Sequence, residues 1–129
     1  MKKKILHIAL DMGIGGAQQV IRQLIVNLPK DEFDSEVLCL NGGIGELGES
    51  LSAQGVKLHT FDRKGIDLRL ILYIRKLIKD NNYEIIHCHQ YTPYFFGVLS
   101  SCFLAAAVVF TEHGRFFPDI VTLKRKILN

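Results

Sequence analysis

Three glycines within four residues constrain this chain more than any other feature. Gly13, Gly15 and Gly16 stand between an apolar run from Lys4 to Leu10 (KILHIAL) and a segment in which Val20, Leu24 and Leu28, flanked by Ile21 and Ile25, recur at helical spacing. A short run with β-branched residues that stops at glycines reads as a buried strand, and the periodic segment reads as an amphipathic helix. A strand, a glycine turn and a helix in that order aim backbone N–H groups at an anion. The helix N-terminus adds about half a positive charge. Glycine lets the backbone take φ > 0 and lets a ligand come close.

The identity of that anion stays open at this level. The dinucleotide fingerprint asks for G-x-G-x-x-G/A; Gly13 and Gly15 fit, but Gln18 stands at the third position. Leu40-Asn41-Gly42-Gly43 stands where an acidic residue should close the second strand. No G-x-x-x-x-G-K-[ST] occurs, which excludes a P-loop. A phosphate-bearing ligand and a bare tight turn remain as the two readings of the loop.

A chain of 129 residues fits one domain, and with 48% hydrophobic residues it can bury a core. Net charge is only +3. The basic clusters Lys2-Lys3-Lys4 and Lys124-Arg125-Lys126 lack interleaved aromatics, so no nucleic-acid partner is expected. Cys39, Cys88 and Cys102 sit in apolar runs and read as reduced core thiols of a cytoplasmic protein. The apolar run at the N-terminus is too short for a signal peptide, and the stretch from Phe95 to Phe110 is too short and too polar for a span.

Further along, apolar runs at 36–40, 56–61, 84–89 and 108–111 alternate with helical patterns at 46–54, 68–79 and from Thr92 on. Gly55 ends the second helix, Asp67 caps the third, Pro93 takes the first position of the fourth, and a further helix starts over 120–128. On the third helix Leu68, Ile71, Leu72, Ile74 and Ile78 form the expected apolar face. This β-α alternation predicts an α/β, Rossmann-like, doubly wound parallel sheet in a single three-layer domain, with strand 1 beside strand 4. Ligands of such sheets bind at the C-terminal strand ends where strand order reverses. Three loops meet there: Gly13 to Gln18, His89 to Pro93, and His113 to Arg115. The boundary before strand 5 carries no Gly or Pro from Leu104 to Ala107.

His7 and His59 read as packed strand histidines. His87 and His89 share one strand face, and with His113 they could in principle hold zinc. No C-x-x-C or H-E-x-x-H accompanies them, so no metal site is expected; nor does any G-x-S-x-G point to a hydrolase. His113, on a loop with Glu112, Gly114 and Arg115, is the histidine placed to touch ligand.

Gly15-Gly16-Ala17-Gln18, Ile85-Ile86-His87-Cys88-His89 and Val109-Phe110-Thr111-Glu112-His113-Gly114-Arg115, taken together and in this order, resemble the N-terminal domain of family 4 glycosyltransferases, retaining enzymes of the GT-B fold. The resemblance implies that residues 1–129 form the acceptor-side Rossmann-like half of a two-domain enzyme. It implies a nucleotide-sugar donor as co-substrate, a glycan or lipid-linked acceptor, and no further cofactor or metal. Gly15 and Gly16 then approach the donor diphosphate and His113 lies beside the transferred sugar, with Gly13, Gln18, His89 and Arg115 as further candidate ligand contacts. Gln18 stands where the family often has glutamate, and no two glutamates here are eight positions apart, as the family's donor site requires. The C-terminal donor domain is therefore expected to be absent and the chain inactive alone. A free-standing Rossmann-like nucleotide- or phosphate-binding module is the alternative. A lipid-linked acceptor implies a cytoplasmic protein with peripheral contact at the inner membrane face, for which Arg69, Arg75, Lys76 and Lys79, near Tyr94, Phe95 and Phe96, are the candidate surface.

Overall fold

A computed structural model describes residues 2–112 of the chain. The elements run β1 (Lys3–Ala9), α1 (Gly16–Asn27), β2 (Phe33–Cys39), α2 (Gly45–Ala53), β3 (Lys57–Thr60), α3 (Leu68–Asn81), β4 (Ile85–His89), α4 (Tyr91–Ser100) and β5 (Ala107–Thr111). His113 and Arg115, and the helix expected over 120–128, lie outside the described residues.

The five strands among the described residues form one sheet in the order β3-β2-β1-β4-β5, and every pair is parallel. Strand 1 does lie beside strand 4, and strand order reverses between them. Parallel strands need both faces covered, and β1 shows it in an unbroken buried run from Ile5 to Ala9. On one face Leu6, Ile8, Leu38, Ile86 and Cys88 pack against Leu70, Ile74 and Ile78 of α3 and Phe96 of α4. On the other, Ala9, Val37 and Cys39 pack against Ile21 and Ile25 of α1 and Leu51 of α2. The result is the three-layer α/β domain expected from the alternation.

Local details depart from expectation for physical reasons. Asp67 caps α3 by accepting the Arg69 backbone N–H at 3.0 Å. The face α3 buries is Leu70, Ile74 and Ile78, one residue per turn; Leu68 and Leu72 point outward, 73% and 67% exposed. Likewise α1 buries Ile21 and Ile25 and leaves Val20 exposed. Pro93 occupies the third position of α4, not the first. The missing N–H costs nothing there, because N–H groups of a first turn lack intrahelical acceptors.

The chain reverses between α4 and β5 without Gly or Pro. Phe103 takes the left-handed conformation at φ 63°, and Leu104 donates to the Ser101 carbonyl. The Arg75 guanidinium of α3 donates to the Cys102 carbonyl at 2.6 Å, so a distant side chain holds this turn. Cys102 is exposed there, contrary to its reading as a core thiol; Cys39 and Cys88 are buried. No helix among the described residues is long and apolar enough to cross a membrane.

Candidate functional site

The C-terminal ends of β1 and β4 flank the point of strand reversal. The chain leaves β1 through Asp11, whose Oδ1 accepts the Gly13 N–H at 2.8 Å and the Gln18 Nε2–H at 3.2 Å. One of the loop's N–H groups is therefore engaged by the chain's own carboxylate. Gly15 caps α1 with extended backbone, and α1 begins at Gly16. None of Gly13, Gly15 and Gly16 lies in the left-handed region, so a left-handed turn is not what the glycines supply. They supply room: a Cβ on Gly16 would meet nothing within 4 Å, whereas one on Gly15 would lie 2.5 Å from Gln18 Oε1.

Gly45, which sequence reasoning passed over, supports this loop from below. It takes φ +72°, and a Cβ there would lie 2.6 Å from the Met12 carbonyl carbon. Its flat approach lets the first turn of α2 reach the loop, where Leu47 and Gly48 donate to the Met12 carbonyl at 2.9 and 3.1 Å. The run Gly42-Gly43-Ile44-Gly45 was the available signal, but nothing local says which of its glycines meets β1.

Across the crevice, β4 ends at His89. Gln90 follows at φ 80°, donates its N–H to the Thr111 carbonyl at 2.9 Å and starts α4. A non-glycine residue in that conformation is held by its surroundings and clusters with functional sites. Asp11, Ala17, Gln18, His89 and Gln90 line a cavity of about 60 Å³ between the two strand ends. The structure thus brings Gln18 and His89 together, as the strand reversal predicts, and adds Asp11 and Gln90. β5 ends at Thr111, paired with His89, and leads toward His113 and Arg115, which are not described.

His7 is not an isolated core histidine. It stacks with His89, and its Nδ1 lies 3.1 Å from His89 Nε2. Burial first, and the neighbouring His87 second, push its pKa from 6.5 down to about 3. His87 Nε2 lies 2.7 Å from the Thr111 hydroxyl. His59 sits elsewhere, on Glu36 at 2.8 Å.

Chemically, the N-terminus of α1 favours an anion, the Asp11 carboxylate beside it opposes one, and Gln18 and His89 are the amide and imidazole side chains that border the same cavity. Comparison with known proteins then gives the family. The sequence model of Glycosyltransferase Family 4 matches residues 14–129. A UDP-Gal:alpha-D-GlcNAc-diphosphoundecaprenol alpha-1,3-galactosyltransferase of Escherichia coli is 29% identical over 122 residues, which cover 92% of this chain and 32% of that protein. The crystal structure of a glycosyltransferase from Rickettsia africae ESF-5 superposes with a TM-score of 0.70 at 17% identity, over 98% of this chain and 34% of that one, and so shares the fold. The chain spans about a third of the length of these relatives. Since the family match runs from within the glycine loop to the last residue, the chain belongs to glycosyltransferase family 4.

Proposed function

We propose that residues 1–129 are the acceptor-side domain of a retaining glycosyltransferase that moves a sugar from a nucleotide-sugar donor to a glycan or lipid-linked acceptor. The observation that carries this reading is the start of α1, where Gly16 has open space around it and Ala17 and Gln18 line one cavity with His89. Gly15 and Gly16 approach the donor diphosphate, and the helix dipole offsets charge building on the leaving group without a metal there. Gln18 and His89 hydrogen-bond the donor from the crevice floor, and Gly13 and Arg115 lie at its margin. His113 orients a hydroxyl of the transferred sugar.

Residues 1–129 hold only the acceptor-side domain in this reading, and on their own they turn over no sugar. The nucleotide contacts and most of the leaving-group stabilisation belong to the donor domain, and without it the crevice stays open to water, where electrostatic interactions weaken. The E. coli relative's name suggests the first donor and acceptor to try, UDP-galactose and a GlcNAc-diphosphoundecaprenol. With a lipid-linked acceptor the protein works at the cytoplasmic membrane face. Exposed Leu68 and Leu72 of α3 and Phe95 and Leu99 of α4 support peripheral contact. Arg69, Arg75 and Lys76 support it less: they are engaged by Asp67, backbone carbonyls and Asp80. Phe96 is buried.

The test is Gly16→Val and His113→Ala in the complete two-domain enzyme. Gly16→Val should abolish transfer while the fold survives. His113→Ala should lower turnover by roughly 30- to 1,000-fold, the loss of about 2–4 kcal/mol of transition-state stabilisation. Normal turnover in either variant refutes its assignment. Turnover by the isolated 129-residue chain overturns the half-enzyme reading, and tight nucleotide binding by that chain without catalysis favours a free-standing binding module. Failure to sediment with anionic vesicles at low salt removes the membrane contact.

A further inference from the structure

On the α1 side of the sheet three imidazoles converge. His7 of β1 and His87 of β4 are register partners, and His89 follows on the same strand face. Their ring centroids lie 5.3 Å apart for His7 and His87, 5.4 Å for His7 and His89, and 4.1 Å for His87 and His89. One nitrogen from each ring lies within 4.8 Å of the other two. His7 and His89 are 1% exposed. An apolar interior does not gather imidazoles by itself, because every ring nitrogen taken from water needs a partner.

The closest pair of nitrogens is at ligand spacing. Two nitrogens on a tetrahedral zinc with bonds of about 2.0–2.1 Å sit about 3.3 Å apart. His7 Nδ1 and His89 Nε2 sit 3.1 Å apart. The Thr111 hydroxyl on His87 Nε2 is the kind of outer hydrogen bond that fixes a ligating imidazole. We propose that His7, His87 and His89 form a three-imidazole site for one divalent transition-metal ion of the zinc class.

Nitrogen-only ligands favour zinc, cobalt, nickel or copper over magnesium and calcium. The hydrogen now between His7 and His89 moves to the other nitrogen of its own ring, so all three bind as neutral imidazoles. Of the three rings His89 borders the cavity at the strand ends, and an ion enters from that side. The ion would tie β1 to β4 beneath the crevice. It is separate from the diphosphate contact proposed at Gly15 and Gly16 but shares His89 with the donor contact proposed above, so cobalt binding tests the metal site and Gly16→Val tests the diphosphate contact.

The experiment uses the untagged 129-residue chain stripped with a chelator and titrated with cobalt(II), then zinc(II). One equivalent of cobalt should give the intense visible bands of a tetrahedral site, which one equivalent of zinc abolishes, and either ion should raise the unfolding midpoint. His87→Ala and His7→Gln should each weaken cobalt binding by about 100-fold or more, while Cys102→Ser leaves it unchanged. Should a histidine variant fail to fold, the spectrum of the native chain still decides. The pale spectrum of octahedral cobalt, no stoichiometric binding, or unchanged affinity in a folded histidine variant overturns the proposal.

Discussion

His7 Nδ1 lies 3.1 Å from His89 Nε2, across 82 residues of sequence, and joins the central strand of the sheet to the floor of the crevice. The folded chain keeps His7 neutral, with its pKa lowered to about 3 by burial and then by His87. The unfolded chain protonates it near 6.5. The folded form therefore binds fewer protons below pH 6.5. The associated stability is whole above that pH and is lost as pH falls toward about 3, by up to about 1.4 kcal/mol per pH unit. With the chain stripped of metal by a chelator, urea midpoints taken from about pH 7.5 down to about pH 4.5 should fall more steeply for the native chain than for His7→Gln. Equal slopes would mean that His7 is not held neutral.

Gly45 and Gly16 should respond in opposite ways to a methyl group. Gly45→Ala forces a Cβ into the Met12–Gly13 backbone at positive φ and should cost about 2 kcal/mol or more. Gly16→Ala adds a Cβ into open space at the start of α1 and should be neutral or gain up to about 1 kcal/mol. Chemical denaturation of the two variants reads both, and a Gly45→Ala chain of native stability would contradict the close approach.

Glu36 is buried in β2, yet its carboxyl is held below the usual range. Burial acts to raise it, and hydrogen bonds from His59 and Tyr83, with Lys4 nearby, outweigh burial. The Tyr83 hydroxyl donates to Glu36 Oε1 at 2.5 Å, and Lys4 Nζ stands 3.5 Å from Oε2. Tyr83→Phe keeps the ring and removes one charge-assisted hydrogen bond, which should cost about 1.5–3 kcal/mol in urea unfolding. A cost below a few tenths would mean that His59 and Lys4 satisfy the carboxylate alone.

The three thiols should separate by reactivity. Cys102 is exposed, whereas burial pushes Cys39 and Cys88 up to about 12 and shields them. A thiol reagent at neutral pH should label one cysteine quickly and the other two only on unfolding. Mass spectrometry locates the label, and fast modification of Cys39 or Cys88 would show that the sheet opens.

The sheet was legible because each strand is a short apolar run and each helix a periodic one, and right-handed crossovers leave few orders for five strands. Burial on α3 was harder to read. Leu68, Leu70, Ile71, Leu72, Ile74, Leu77 and Ile78 ring most of the helix, so periodicity alone allows more than one buried stripe. The turn after α4 depends on Arg75, a contact between separate elements that no local pattern announces. At the crevice, Gln18 and His89 followed from the topology. Gln90, Gly45 and the tie between His7 and His89 are properties of the assembled backbone, absent from any window of sequence.

The reversal of strand order also sets a sequence of events for a growing chain. β1 finds β2 a few dozen residues later, but its other partner, β4, arrives only after α2, β3 and α3 have been made. Until then one edge of the central strand has unpaired N–H and C=O groups, the edge that other chains can join. Closing a contact so distant in sequence is the slow, entropy-limited step, so the pairing of His7 with His87 marks where refolding is most open to aggregation.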